Sequence, residues 1–270
     1  LVIDRKDRLG GVSVHTGTIP SKTLRETVLN LSGWRERGFY GLSYRVKKDI
    51  EGKDLGARLR KTLDYEIEVL EHQFARNGVR TFGGMARFVD EHHLLVVDHA
   101  GDEHRFAFDH AVIAVGTAPY RPAHIPFDDH TVLDSDSLVG ELRVPRSLTV
   151  VGAGVIGIEY ATIFSALDVP VTIVEPRETF LEFIDREIIE EFTHDLRQRG
   201  VTIRLGAKVD RVEKDGQGWA IAHLTDGRQI RSDMLLYAAG RVGATQDLGL
   251  EQCGVVPDER SRLKVDPATF

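Results

Sequence analysis

The feature that most constrains the fold is a glycine-rich turn between an apolar strand and a helix. Residues 148–151 read Leu-Thr-Val-Val and are followed at 152–157 by Gly-Ala-Gly-Val-Ile-Gly, after which a helical pattern runs to about residue 167. A second apolar stretch, 171–174, ends at Glu175. A strand, a Gly-x-Gly-x-x-Gly turn, a helix and a further strand within about 30 residues are typical of a dinucleotide-binding unit. The sequence therefore predicts a Rossmann-like α/β domain.

The three glycines of this turn have separate roles. Gly152 permits the tight turn, Gly154 lets the backbone approach a pyrophosphate, and Gly157 allows the helix to pack closely on the strand. Val155 and Ile156 lie in the first helical turn, where free N–H groups and the positive end of the helix dipole face the phosphates. We therefore predict that this turn binds the pyrophosphate of a cofactor.

Two charged residues after the second strand bear on which cofactor binds. Glu175, which lies about 20 residues after Gly154, is placed to accept hydrogen bonds from both hydroxyls of an adenine ribose, which favours NAD. Arg177 is able to bind a 2′-phosphate, which favours NADP. The sequence does not choose between NAD and NADP.

Composition excludes several classes of function. The chain has 270 residues and a formal net charge of −7, which argues against a dedicated nucleic-acid surface. No apolar run approaches the roughly 18–20 residues of a membrane helix and no signal peptide is visible, so we expect no membrane partner and a cytoplasmic location. The single cysteine, Cys253, excludes an internal disulfide framework, and the scattered histidines lack metal-ligand spacing, so no metal site is predicted.

Hydrophobic periodicity and capping residues predict the order of the other elements. The predicted helices are 21–32 with Ser21 as N-cap, 54–76 with Asp54 as a cap and Gly78 at its end, and 185–199 with Asp185 as N-cap. The predicted strands are 1–4, 86–89, 94–97, 111–115, 201–205, 208–213, 219–224 and 233–238. The Pro- and Asp-rich stretch 117–147 predicts a crossing between two domains.

Residues 10–22, Gly-Gly-Val-Ser-Val-His-Thr-Gly-Thr-Ile-Pro-Ser-Lys, carry a resemblance to a known family. The segment is similar to Gly-Gly-x-Cys-x-x-x-Gly-Cys-Ile-Pro-Ser-Lys of the flavoprotein pyridine nucleotide-disulfide oxidoreductases, whose two cysteines form a redox disulfide against the flavin. Ser13 and Thr18 stand at the cysteine positions. Because a hydroxyl cannot form a disulfide, the resemblance implies the scaffold of this family without its disulfide chemistry.

The resemblance implies an α/β protein with two Rossmann-like three-layer domains, one for FAD and one for NAD(P), with the FAD-binding domain incomplete. Residues 1–117 would form the partial FAD-binding domain, 118–246 the NAD(P)-binding domain, and 247–270 a segment that returns to the FAD-binding domain. The family's first Gly-x-Gly-x-x-Gly and its C-terminal flavin-binding and dimerisation segments have no match here. We therefore expect a chain truncated at both ends that retains FAD weakly or not at all, and a homodimer only for full-length members.

The resemblance also assigns residues to the cofactors. The expected cofactor-binding residues, besides those of the 152–157 turn, are Asp4, Arg5, Gly10, Gly11, Val12, Ser13, Thr18, Lys22, Ala86, Ala114, Gly116, Thr117, Glu159, Glu175, Arg177, Ala239, Gly240 and Arg241. Lys22 and Glu159 correspond to a catalytic ion pair beside the flavin N5, where the lysine charge stabilises the reduced flavin.

Within the family, the resemblance is greatest to the branch that transfers hydride between NADPH and NAD. That branch is similar in reading Thr-Gly-Thr-Ile-Pro-Ser-Lys, as residues 16–22 do, and Gly-Ala-Gly-Val-Ile-Gly-x-Glu-Tyr-Ala, as 152–161 do. We expect an FAD-dependent transhydrogenase with nicotinamide dinucleotides as substrates. Two alternatives stay open: an NAD(P)H oxidase or diaphorase, in which oxygen or a quinone takes the electrons, and a non-catalytic nucleotide-binding fragment. A disulfide or mercury reductase is disfavoured, because it needs two thiols near the flavin and the sequence has the single cysteine Cys253.

Overall fold

A computed structural model describes residues 1–269. Its α-helices are α1 (Gly11–His15), α2 (Thr18–Leu31), α3 (Arg37–Tyr40), α4 (Gly52–Arg76), α5 (Ser135–Gly140), α6 (Val155–Ser165) and α7 (Arg186–Gln198). Its β-strands are β1 (Val2–Asp4), β2 (Thr81–Gly83), β3 (Met85–Asp90), β4 (His93–Val97), β5 (Glu103–Ala107), β6 (Thr117–Pro119), β7 (Val132–Leu133), β8 (Leu148–Val151), β9 (Val171–Val174), β10 (Thr202–Arg204), β11 (Val209–Lys214), β12 (Ala220–Leu224), β13 (Gln229–Ser232), β14 (Met234–Tyr237) and β15 (Arg241–Gly243). Among these residues, no helix has both the length and the apolar character of a membrane span.

A five-stranded parallel sheet in the order β10-β9-β8-β14-β7 contains the predicted dinucleotide-binding unit. Val150 of β8 is aligned with Ile173 of β9 on one side and with Leu236 of β14 on the other. All four residues of β8 are buried, as expected for a parallel strand that is covered on both faces. The predicted succession of strand, glycine turn, helix and strand is confirmed as β8, residues 152–154, α6 and β9.

The chain divides into two compact units. The first unit consists of Leu1–Val14, Asp64–Ala118 and residues 241–269, and the second of His15–Leu63 and Pro119–Gly240. Residues 15–63 therefore group with the second unit, although the sequence analysis assigned them to domain 1–117. The physical reason is that Leu24 of α2 and Leu55 of α4 are buried in the same core as Ile158 of α6. The assignment of FAD and NAD(P) to domains stays a prediction.

An antiparallel sheet, β11-β12-β13, completes the second unit. Val212 and Ala222 of this sheet share a core with Val151 and Leu235 of the parallel sheet. The predicted strands 208–213 and 219–224 are confirmed within one residue as β11 and β12. Strand β13 was not predicted, because its four residues, Gln-Ile-Arg-Ser, include a single apolar side chain.

The first unit is built from a parallel pair and an antiparallel sheet. Strand β1 is paired in parallel with β2, and β3, β4 and β5 form a three-stranded antiparallel sheet. Phe88 of β3 is packed in a small core with Leu248 and Leu250, and its N–H donates to the Leu248 carbonyl at 2.7 Å. The C-terminal stretch from residue 241 is therefore held against β3 within this unit.

Two predictions of local structure are wrong. Residues 111–115 were predicted to form a strand, but no strand among the described residues 1–269 pairs with them. The segment is therefore irregular, and Val112 is 91% exposed. Ser21 is not the N-cap of α2, because the helix begins at Thr18 and the Ser21 hydroxyl donates to the Thr18 carbonyl at 3.2 Å. Pro20 is compatible with this earlier start, because proline lacks a backbone N–H and the N–H groups of the first helical turn have no carbonyl partner within the helix.

The predicted N-cap of α7 and the predicted end of α4 are confirmed, whereas α4 begins at Gly52, two residues before the predicted start at Asp54. Asp185 caps α7 by accepting the N–H of Glu187 at 2.9 Å. Gly78, with φ of +63°, ends α4 in the left-handed conformation that glycine favours. Asp54 lies in the first turn of α4 and accepts the N–H of Glu51 at 2.9 Å, which satisfies one backbone donor at the start of that helix.

Asp233 links the segment before β8 to the start of β14. Its nearly buried carboxylate accepts hydrogen bonds from Arg143 Nη1 at 2.7 Å, and from the backbone N–H and Nη2 of Arg146, both at 2.9 Å. Burial acts to raise the pKa of Asp233, but these donors outweigh burial and lower the pKa from 3.8 to about 2. Since the pKa is depressed in the folded state, the carboxylate stabilises the fold above pH 3.8, and this stabilisation is lost as the pH falls toward 2.

We expect Asp233→Asn to lower the free energy of unfolding by about 2 kcal/mol at neutral pH, since one pKa unit corresponds to about 1.4 kcal/mol. The difference from the unmodified chain should shrink below about pH 4. Urea titrations of both proteins at several pH values measure it. Asp210→Asn, at an exposed position of β11, is the control and should have little effect. A stability loss of Asp233→Asn that is the same at every pH would contradict this account.

Candidate functional site

The glycine turn leaves no room for a side chain at two of its three glycines. Gly152 has a φ of +101°, and a Cβ there would lie 2.7 Å from the carbonyl oxygen of Ala238, which follows β14. A Cβ on Gly157 would lie 2.0 Å from the carbonyl oxygen of Gly152. By contrast, apart from its chain neighbours, no described group lies within 4 Å of a Cβ built on Gly154. The first and third glycines therefore serve packing, and the second leaves the backbone open to close approach by a ligand.

Helix α6 begins at this turn. Gly154 is its N-cap with an extended backbone, and no side chain of residues 1–269 caps the N-terminal N–H groups. The first backbone hydrogen bond of the helix is donated by the N–H of Ile158 to the carbonyl of Gly154 at 3.0 Å. The N–H groups of Val155 and Ile156, which precede it, therefore have no partner within the helix. Together with the helix dipole, they form a site suited to an anion.

Glu175 and Arg177 are bound to each other. Glu175 Oε1 accepts hydrogen bonds from the backbone N–H and Nε of Arg177 at 3.1 and 2.7 Å, and Oε2 accepts from Arg177 Nη2 at 3.1 Å. Oε2 also accepts the backbone N–H of Ala153 at 2.7 Å. Burial acts to raise the pKa of Glu175, but the bonds from Arg177 and Ala153 outweigh burial, so the pKa lies below its ordinary value. The carboxylate is therefore charged and connects β9 to the glycine turn.

Lys22 and Glu159 form the ion pair that the resemblance implied. They lie on α2 and α6, whose apolar faces share one core through Val28 and Ile163. The Glu159 side chain is 15% exposed and that of Lys22 is 60% exposed. The carboxylate is thus held in place by packing, while the ammonium remains accessible.

The segment at the positions of the family's cysteines is exposed. Gly10 and Gly11, with φ of +115° and +54°, lead the chain into α1. Ser13 lies in α1 and Thr18 is the first residue of α2, and both are exposed. The thiol of Cys253 donates to the carbonyl of Leu250 in a short 3-10 helix, at 3.3 Å. The structure therefore offers hydroxyl groups, and no thiol pair, at residues 13 and 18.

Within the first unit, Asp4 lies beside the start of β3. Its carbonyl accepts the N–H of Gly84 at 2.8 Å, and its Oδ1 accepts the N–H of Lys6 at 3.0 Å. Arg5 is exposed directly after β1, and Ala86 lies half-buried on β3. The predicted residues Asp4 and Ala86 are thus on neighbouring elements of one unit.

Thr117 and Arg241 are brought together in the first unit. Arg241 Nε donates to Thr117 Oγ1 at 2.8 Å, and Nη2 donates to the Thr117 carbonyl at 2.9 Å. A Cβ on Gly116 would lie 3.9 Å from Val12 Cγ2, so these two predicted residues are also near each other. Ala114 lies in the irregular, exposed segment 111–115.

The segment after β14 lies beside the glycine turn. The N–H of Ala238 donates to the carbonyl of Val151 at 2.8 Å. A Cβ on Gly152 would lie 3.2 Å from the Cα of Ala239. Gly240 follows with φ of +118° and is exposed. Ala239 and the glycine turn, both of which are expected to bind a cofactor, are therefore neighbours at the same edge of the parallel sheet.

A family profile described as pyridine nucleotide-disulphide oxidoreductase matches residues 1–269. The chain belongs to this family. The soluble pyridine nucleotide transhydrogenase of Mycobacterium bovis is 44% identical over 266 residues, with 98% of this chain and 57% of that protein covered. The soluble pyridine nucleotide transhydrogenase of Chromohalobacter salexigens is 37% identical, with the same coverage of both chains. The chain thus spans 57% of the length of these family members.

Solved structures agree with this family assignment. LpdA from Mycobacterium tuberculosis superposes on this chain with a TM-score of 0.88 at 25% identity, and the aligned region covers 98% of this chain and 57% of LpdA. The HOCl-induced flavoprotein disulfide reductase RclA from Escherichia coli superposes with a TM-score of 0.80 at 28% identity, and 98% of this chain covers 56% of that one. The predictions of the family and of an α/β fold are confirmed.

The backbone N–H of Ala153 takes part in the candidate site although it was not predicted from the sequence. It fixes Glu175 against the turn through the 2.7 Å hydrogen bond to Oε2. The alanine side chain carries no chemical signal, and only its position between the first two glycines points to a role.

For metals, no group of three or more His, Cys, Asp or Glu side chains within residues 1–269 is arranged to hold an ion.

We expect Gly157→Ala to destabilise the chain by about 1–3 kcal/mol, because the new methyl group must displace the Gly152 carbonyl against which α6 is packed. Gly154→Ala is the matched control, since its Cβ meets no described group within 4 Å. Thermal unfolding followed by circular dichroism compares the two variants. Equal losses of stability would show that the close approach at Gly157 does not constrain the turn.

Proposed function

We propose that the chain belongs to an FAD-dependent enzyme that transfers hydride between NADPH and NAD. The observation that carries the proposal is that an intact dinucleotide turn occurs together with Ser13 and Thr18 at the positions of the family's redox cysteines. Without a thiol pair, nicotinamide dinucleotides remain as redox partners for the flavin. Identities of 44% and 37% to proteins named soluble pyridine nucleotide transhydrogenase support the same function.

The residues expected to hold FAD fit that cofactor at two glycines. A Cβ on Gly11 would meet no described group within 4 Å, and one on Gly116 would meet Val12 at 3.9 Å, so the backbone at both is open to close approach. Asp4 is the expected partner of the ribose hydroxyls, and residues 10–13 are expected to line the pyrophosphate and ribityl chain. When bound, FAD supplies the group that stores hydride between two nicotinamide cofactors.

The second unit carries the parts that bind those cofactors. The N-terminus of α6 binds the pyrophosphate, and Glu175 and Arg177 meet the adenine ribose. Lys22, held by Glu159, supplies positive charge that stabilises the reduced state of the cofactor. Because hydride carries its own electron pair, no side-chain acid or base is required. In this proposal both dinucleotides use the same glycine turn in succession, so the donor leaves before the acceptor binds.

The proposal extends to location and assembly. A cytoplasmic location is part of it, and a homodimer is expected for the full-length family member. An oxidase or diaphorase would use the same dinucleotide site, and differs in the acceptor that takes the electrons. A nucleotide-binding fragment would use the site without turnover.

We expect the purified chain, supplied with excess FAD, to reduce NAD with NADPH as donor. Stopped-flow absorbance, oxygen-electrode measurements and calorimetry of NADPH binding are made on the same sample. Gly154→Val, which fills the open face of the turn, should abolish both binding and transfer. Oxygen consumption without reduction of NAD would replace the proposal with an oxidase, and binding without turnover would leave a nucleotide-binding protein.

We expect Lys22→Ala to slow reduction of the flavin by NADPH about tenfold or more, because the charge that stabilises the reduced state is removed. The affinity for NADPH should change much less. Lys53→Ala is the control, because Lys53 is an exposed lysine paired with Glu51 at 2.7 Å. An unchanged rate of flavin reduction in stopped-flow experiments would remove Lys22 from the mechanism.

A further inference from the structure

The Glu175 carboxylate has no free position for a ribose hydroxyl. Its two oxygens accept four N–H donors: Ala153 N, Arg177 N, Arg177 Nε and Arg177 Nη2. A carboxylate offers about four lone-pair sites. A hydroxyl can therefore bind only if one of the present donors leaves.

The Arg177 side chain is the donor that can leave. The backbone of Glu175 is fixed, because its N–H donates to the Arg204 carbonyl at 2.9 Å and its carbonyl accepts the Ala207 N–H at 3.0 Å. The Glu175 side chain is only 4% exposed, whereas that of Arg177 is 48% exposed. The guanidinium lies over the carboxylate from the solvent side and can rotate away without disturbing the sheet.

We propose, on the basis of the transhydrogenase function above, that Arg177 is a specificity-determining residue with two positions. Resting on Glu175, it neutralises the carboxylate and offers its outer edge to the 2′-phosphate of NADPH. Rotated into solvent, it uncovers the carboxylate, which then accepts hydrogen bonds from the ribose hydroxyls of NAD. One ribose site thereby receives both cofactors in succession.

The charges explain why each cofactor selects one position. A 2′-phosphate beside an uncovered Glu175 would be repelled by the carboxylate, so it requires Arg177 in place. When NAD binds, a ribose hydroxyl replaces the guanidinium as the hydrogen-bond donor to Glu175, and water hydrates the freed guanidinium. The charge-assisted hydrogen bonds of both groups are therefore replaced and not lost. The exchange keeps the two affinities comparable.

The test is calorimetry of NADPH and NADH binding to the full chain and to Arg177→Ala. We expect the variant to bind NADPH about tenfold or more weakly, equivalent to about 1.4 kcal/mol, while NADH binds equally well or more tightly. Adenosine 2′,5′-bisphosphate and AMP, which differ only in the 2′-phosphate, should show the same divergence. Equal losses for both dinucleotides, or a larger loss for NADH, would overturn the proposal.

Three further variants complete the test. Glu175→Gln should weaken NADH more than NADPH, and Arg177→Lys, which keeps the charge, should lose less NADPH affinity than Arg177→Ala. Arg186→Ala, at an exposed arginine paired with Glu190 on α7, is the matched control and should leave both affinities unchanged. If Glu175→Gln does not fold, the two Arg177 variants still decide the outcome.

Failure of this inference is distinct from failure of the proposed function. Divergent affinities in Arg177→Ala, with no hydride transfer by the unmodified chain, would support the two-position residue and contradict the transhydrogenase. Hydride transfer by the unmodified chain, together with equal losses of NADPH and NADH affinity in Arg177→Ala, would support the transhydrogenase and contradict the two-position residue. Binding of neither dinucleotide by the unmodified chain would contradict both.

Discussion

The close approach of main chain to main chain around Gly152 is the constraint on which the rest of the structure depends. The carbonyl of Gly152 lies where a side chain on Gly157 would be, and the carbonyl of Ala238 lies where a side chain on Gly152 would be. With no side chains between them, the helix start, the end of β8 and the segment after β14 come to one edge of the sheet. The start of α6 and the exposed residue Gly240, which follows Ala239, consequently lie near the same edge of the sheet.

Glu175 extends this arrangement to the next strand. A charged carboxylate that is nearly buried is costly unless donors surround it, and here the turn and Arg177 provide them. On the proposed function, the bonds that stabilise this part of the fold are the ones that a bound cofactor would share or replace. The proposal thus links stability and cofactor choice at one residue.

How much was predictable from the sequence depended on how local each cause is. The glycine turn was predictable because its glycines, the strand before it and the helix after it are contiguous in sequence, although the group that Gly152 must avoid, the carbonyl of Ala238, is distant in sequence. The cap at Asp185 was predictable because it involves only neighbouring residues. Residues 111–115 were misassigned because a strand exists only with a neighbour, which periodicity does not reveal. The pairing of Glu175 with Arg177 was missed because each residue was considered as facing a ligand, whereas two opposite charges two positions apart first satisfy each other.

The order of strands in the parallel sheet has a consequence for synthesis of the chain. β14 lies between β7 and β8, although about a hundred residues separate it from β7 along the sequence. One edge of β8 and the pairing edge of β7 therefore lack their partner strand until residue 237 has left the ribosome, and Ala238 can approach Gly152 only afterwards. Contacts of such long sequence separation form slowly. A nascent chain that ends before β14 thus holds the complete glycine motif without the segment that packs against Gly152.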